Sequence, residues 1–163
     1  MRTLLIVFHS ATGGTRQMAE AAARGAGGED GVTVRLMHAG AAAPEDVLAA
    51  HAYIFATPEN LGSMAGLMKD FFDRCYYPAF DKVNGCAYAS MVCAGSDGQG
   101  AARQIERIAT GWRLKPVAGP LIVCTHAQTP EAILAPKHIA AADLARCEEV
   151  GHMLAAGLGA GVF

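Results

Sequence analysis

Three stretches of this 163-residue chain carry residue types that can do chemistry at close quarters. The first is His9-Ser10-Ala11-Thr12-Gly13-Gly14-Thr15. Hydroxyls stand at Ser10, Thr12 and Thr15, and Gly13 and Gly14 between them permit a tight turn with positive φ. If a helix starts there, its first amides and these hydroxyls converge on an anion. The loop has no lysine, and its first arginine is Arg16, so it is neither a triphosphate P-loop nor a dinucleotide fingerprint. A terminal monophosphate suits so compact a nest. The plainer reading is a cap and turn, with Thr12 or Thr15 closing the helix start.

The second stretch is Thr57-Pro58-Glu59-Asn60-Leu61-Gly62-Ser63-Met64, and the third is Gly95-Ser96-Asp97-Gly98-Gln99-Gly100. Glycines let a backbone approach a flat ligand and aim amides at its ring nitrogens and carbonyls. Such amides tune a redox cofactor by stabilising the charge that reduction develops. Each stretch alone also reads as an ordinary turn. Glu59 suits hydrogen bonding or capping better than proton abstraction, and no catalytic side chain is assigned. Cys124 and His126 share a strand face, but no nearby acid orients the histidine, and an inert strand thiol is the simpler account. No C-x-x-C or H-E-x-x-H occurs, so no metal ligands are assigned.

Alternating elements must position these loops. Leu4–Phe8 and Tyr53–Ala56 are short apolar runs of the kind that form strands buried on both faces; Val32–Met37 and Cys86–Ala94 read as two more. A fifth strand is predicted over Pro116–Cys124, at an edge because Pro116 and Pro120 each withhold a donor. Helical spacing predicts helices over Thr15–Gly27, Met64–Cys75, Ala101–Trp112 and Pro136–Leu158, with a turn or two after Pro44. Trp112, in register with Ile105 and Ile108, reads as core. Strands alternating with helices predict one α/β domain over residues 1–163, with a doubly wound, five-stranded parallel sheet. The three stretches then fall at the carboxyl ends of strands, where such sheets bind ligands.

Composition narrows the function. Hydrophobic residues make up 52% and charged residues 17%, which argues against disorder. A net charge of −2 without any basic run argues against nucleic acid, and against a carrier steered by a strong acidic field. No segment reaches the length of a membrane span, and the apolar start is shorter than a signal peptide requires. Five cysteines fit no simple disulfide framework, so a reducing, cytoplasmic setting is expected.

Ser10-Ala11-Thr12-Gly13-Gly14-Thr15 resembles the flavodoxin phosphate loop, and the stretch from Thr57 to Arg74 resembles the NAD(P)H-dependent FMN reductases and related quinone reductases. The resemblance implies sheet order 2-1-3-4-5 with FMN at the carboxyl edge. It assigns Ser10, Thr12, Gly13, Gly14 and Thr15 to the phosphate. Pro58, Glu59, Asn60, Leu61 and Gly62 then lie beside the isoalloxazine ring, and Gly95, Ser96 and Gly98 on its pyrimidine side. It implies NADH or NADPH as donor, a quinone, flavin or similar small acceptor, and a homo-oligomer, most simply a dimer. The alternatives are a flavodoxin-type electron carrier and a non-catalytic protein of the same fold. Reductases of this kind often carry an aromatic residue in the second loop. Here Asn60 and Leu61 take its place, leaving Tyr76 or Tyr77 to supply a stacking ring from the same or a second subunit.

Overall fold

A computed structural model describes residues 1–163. In chain order the elements are β1 (Arg2–Phe8), α1 (Gly14–Ala26), β2 (Val32–His38), α2 (Pro44–Ala49), β3 (Ala52–Asn60), β4 (Ser63–Met64) and α3 (Gly66–Ala79). They continue with β5 (Ala87–Ala94), α4 (Gln99–Gly111), β6 (Lys115–Pro116), β7 (Leu121–Cys124), α5 (Pro130–Leu134) and α6 (Ala141–Gly159). The sheet runs β2-β1-β3-β5, with β6 and β7 sharing the far edge, and all these pairs are parallel. That is the flavodoxin-like order 2-1-3-4-5.

The central strands β1, β3 and β5 are apolar without alternation because helices cover both faces. One face packs Leu5, Val7, Tyr53 and Phe55 against Phe71, Phe72, Ile105 and Trp112 of the α3–α4 side. Trp112 is core, edge-on to Phe55 and Phe72. The other face packs Leu4, Ile6, Ile54 and Met91 against Met18 of α1 and Cys147 and Leu154 of α6. No helix is long and apolar enough to cross a membrane, and all five cysteines are free thiols.

Three expectations need correction. The edge strand is broken: β6 and β7 pair with opposite ends of β5, and residues 118–120 leave the ladder. The amides of Lys115 and Val117 both donate to β5, so Pro116 turns its donor-less nitrogen away from the ladder; the break comes instead from two extra residues on the edge chain between the Tyr88–Pro116 and Met91–Leu121 pairs. The second loop is a hairpin. β3 runs on to Asn60 and pairs antiparallel with β4 around Leu61 and Gly62, whose positive φ of 52° and 71° suits a primed turn. α3 accordingly starts at Gly66 and reaches Ala79, with Pro78 in its last turn. Finally, Pro136 does not open the last helix. α6 begins at Ala141, and residues 125–140 cross the carboxyl edge of the sheet as a strap containing α5.

Candidate cofactor site

The carboxyl ends of β1, β3, β5 and β7 surround a cleft of about 260 Å³. Its first wall is the turn between β1 and α1. Gly13, at φ 92°, is the residue before α1, and the Ser10 hydroxyl accepts from its amide at 3.1 Å. No side chain caps α1, which excludes the plain capping role for Thr12 and Thr15. Thr15 is 1% exposed, lines the cleft, and its hydroxyl has no hydrogen-bond partner. A buried hydroxyl left alone costs about 1–3 kcal/mol, so this orphan points to a ligand. The first-turn amides of α1 lack intrahelical acceptors, and the helix dipole favours negative charge there. Gly14 is required by close approach: a Cβ there would lie 2.6 Å from Cys93 Sγ on the cleft floor. Neutral hydroxyls and amides at a helix start fit a phosphate group.

The second wall is the hairpin, fixed by its own polar groups. Thr57 Oγ1 accepts from the Ala65 amide at 3.0 Å and donates to the Pro58 carbonyl at 3.0 Å. Glu59 uses both carboxylate oxygens on the start of α4, accepting from the amides of Gly98 at 2.9 Å and Ala101 at 3.1 Å. Gln104 accepts from the Met64 amide at 2.8 Å. Hairpin and third loop are therefore one clamped unit. Glu59 lines the cleft, but its hydrogen-bonding capacity serves the clamp.

The strap forms the third wall. It leaves β7 with the Thr125 and His126 amides donating to Ala94 and Gly95 carbonyls, at 2.9 and 2.8 Å. It then reaches the first loop, where the Lys137 amide donates to the Thr12 carbonyl at 2.8 Å. Gln17 of α1 holds it from both sides. Its Nε2 donates to the Lys137 carbonyl at 2.7 Å, and its Oε1 accepts from the Ile139 amide at 3.0 Å. These bonds keep residues 136–140 out of α6. Ile133 and Leu134 line the cleft yet are 52% and 77% exposed, an apolar rim without a partner.

Of the residues expected at the site, Ser10, Thr12, Gly14, Thr15, Pro58, Glu59, Asn60 and Gly95 come together as cleft wall. Gly13 shapes the first turn behind it. Leu61, Gly62, Ser96 and Gly98 are not wall residues; Leu61 is fully exposed at the hairpin tip, and Gly98 precedes α4 at φ 84°. Sequence reasoning missed Cys93, Thr125, Ile133, Leu134 and Lys137. The one available signal was the apolar Ala132-Ile133-Leu134 held between Pro130 and Pro136. Burial pushes the Cys93 thiol up to about 11, with the Lys137 ammonium opposing, so Cys93 is a neutral floor residue at physiological pH. Tyr76 and Tyr77 do not reach the cleft of their own chain. α3 starts beside Thr57 and carries them toward the opposite end of the sheet, roughly 15 Å along its axis.

Beside the first loop, His9 Nδ1 and His38 Nε2 are 3.0 Å apart. The Gly40 amide donates to His38 Nδ1 at 3.1 Å, which leaves neutral His38 its proton on Nε2 and makes it the donor to His9. Burial first, and His38 second, lower the pKa of His9.

The sequence profile of NADPH-dependent FMN reductase matches residues 37–129, more than half the chain. The chain belongs to that family. The matched region holds the hairpin and the third loop; the phosphate-type loop precedes it. A flavodoxin of Aquifex aeolicus is 37% identical over 55% of this chain and 50% of its own length. An NAD(P)H dehydrogenase (quinone) of Acidithiobacillus ferrooxidans is 34% identical over 45% and 47%. The chain thus spans about half the length of these curated relatives. Among solved structures, an archaeal flavodoxin superposes with a TM-score of 0.77 at 18% identity, covering 96% of this chain and 98% of that one. A WrbA-like protein from Agrobacterium tumefaciens gives 0.68 at 22%, covering 99% of each. Those two likenesses establish the fold. Family and fold together place the chain in the flavodoxin-like oxidoreductase superfamily, with FMN as the fitting cofactor.

Proposed function

We propose that residues 1–163 form one FMN-binding domain that takes hydride from NADH or NADPH and passes electrons to a quinone, a flavin or a similar small acceptor. The observation that carries this reading is the unpartnered Thr15 hydroxyl, buried in a neutral cradle at the start of α1. Bound FMN supplies the hydride acceptor and the onward electron transfer. The chain's part is to hold and orient it. Ser10, Thr12, Thr15 and the amides after Gly13 hold the phosphate. Pro58, Asn60 and Gly95 flank the ring, and Glu59 keeps their two loops in one register. Ile133 and Leu134 on the strap supply apolar cover in place of an aromatic residue, and Leu61 marks the hairpin tip beyond the wall. Gly62, Ser96 and Gly98 shape the loops behind.

The test is a spectral titration. Purified protein should perturb the visible band of FMN. Anaerobic addition of NADH or NADPH should then bleach it, and a quinone should restore it. Similarity to the Aquifex aeolicus flavodoxin supports a second reading, an electron carrier. That reading predicts FMN binding with no bleaching by either nucleotide. We further propose a homodimer through the exposed end of α3, where Tyr77 is 82% exposed, with Tyr76 and Phe80 against each other. Tyrosine is enriched where surfaces meet.

A further inference from the structure

The wall of the cleft holds two charged side chains, Glu59 and Lys137. Glu59 is committed to the α4 amides. Lys137 makes no ion pair with any carboxylate. Its backbone is fixed to the first loop through Thr12 and Gln17. Its Cβ lies 3.4 Å from where a Gly14 Cβ would stand, so the side chain starts beside the first turn of α1. Its ammonium donates to the carbonyls of Ala132, Ile133 and Ala135 at 2.8, 2.8 and 2.6 Å. These are neutral acceptors at the end of a five-residue helix. The other cation near the loop, Arg16, is exposed on α1 and is not part of the wall.

A phosphate dianion in the cradle would meet hydroxyls and amides but no positive charge from the loop itself. An ammonium on a flexible four-carbon stem, anchored at that loop, is a mobile counter-charge. A charged acceptor competes well against carbonyls for such a donor, since charge-assisted hydrogen bonds are about twice as strong as neutral ones. We propose that Lys137 is the cationic contact of the FMN phosphate, carried to the neutral loop by the strap, and that it selects the phosphorylated flavin over riboflavin. This rests on the FMN reading above.

The experiment compares FMN and riboflavin affinities by fluorescence quenching, across a salt series, for wild type, Lys137→Gln, Lys137→Arg and Arg16→Gln. Glutamine keeps a donor for the α5 carbonyls and removes the charge. Lys137→Gln should weaken FMN about tenfold or more, leave riboflavin unchanged, and flatten the salt dependence. Lys137→Arg should recover most of the FMN affinity, and Arg16→Gln should leave the preference intact. A parallel loss of both flavins in Lys137→Gln would show that the lysine merely holds the strap, and would overturn the proposal. So would unchanged FMN affinity, or an equal loss in Arg16→Gln. If wild type binds neither flavin, the FMN reading itself fails first, before any variant is compared, and this inference falls with it.

Discussion

Replacing Thr15 by valine should move stability and flavin affinity in opposite directions. The side chain is 1% exposed and its hydroxyl has no partner. Valine keeps nearly the same shape and is equally at ease in a helix. In the flavin-free protein the substitution removes an unsatisfied buried hydroxyl, which costs about 1–3 kcal/mol. Packing adjustments take back part of that, leaving a gain of about 1 kcal/mol, or roughly 2–4 °C in melting temperature for a chain of this size. On the proposed FMN reading the same hydroxyl would donate to a charged phosphate, a bond worth about 1.5–3 kcal/mol. FMN affinity should therefore fall by a factor of about 10 to 150. Thermal melts without flavin, and a quenching titration of the same sample, read the two signs separately. A less stable variant with unchanged FMN affinity would refute the reasoning, because the hydroxyl would then have a partner within the protein.

Glu59→Ala leaves the Gly98 and Ala101 amides without their acceptors at a helix start; urea unfolding should show a loss of about 1–2 kcal/mol, with weaker flavin binding as the hairpin loses its register. His9 has a lowered pKa in the fold, so the unfolded chain binds more protons than the native one between the two values. Stability should therefore fall as pH drops below about 6.5 and level off beneath the folded pKa. His9→Asn should flatten that part of a melting-temperature profile between about pH 5 and 8; an unchanged profile would clear His9 of the effect. Sedimentation should show a dimer that Tyr76→Ala with Tyr77→Ala dissociates, whereas a wild-type species of 16.9 kDa rules the dimer out.

What the sequence made legible was whatever one segment decides alone. β1, β3 and β5 announce themselves because burial on both faces removes polar alternation. The first loop declares its hydroxyls and glycines in seven consecutive residues. The hairpin was harder, because Pro58 and Asn60 read as turn residues while they extend β3, and only Leu61 and Gly62 turn the chain. The strap was hidden for a stronger reason. Ile139 falls in step with the apolar residues of α6, so helical spacing runs backward into Pro136. What stops the helix is Gln17, whose amide engages Lys137 and Ile139 from 120 and 122 residues earlier in the chain. No local pattern carries that information, since a glutamine off the apolar stripe of α1 looks like any solvated residue. The same holds for Glu59, whose residue type was legible and whose partners were not. The residues of the first two walls are thus written locally, whereas the strap that forms the third, and the bonds that join the walls, are long-range. The strap brings the cleft its one ammonium and its apolar rim, so the features to which we attribute flavin selection and cover arise from contacts that only the fold creates.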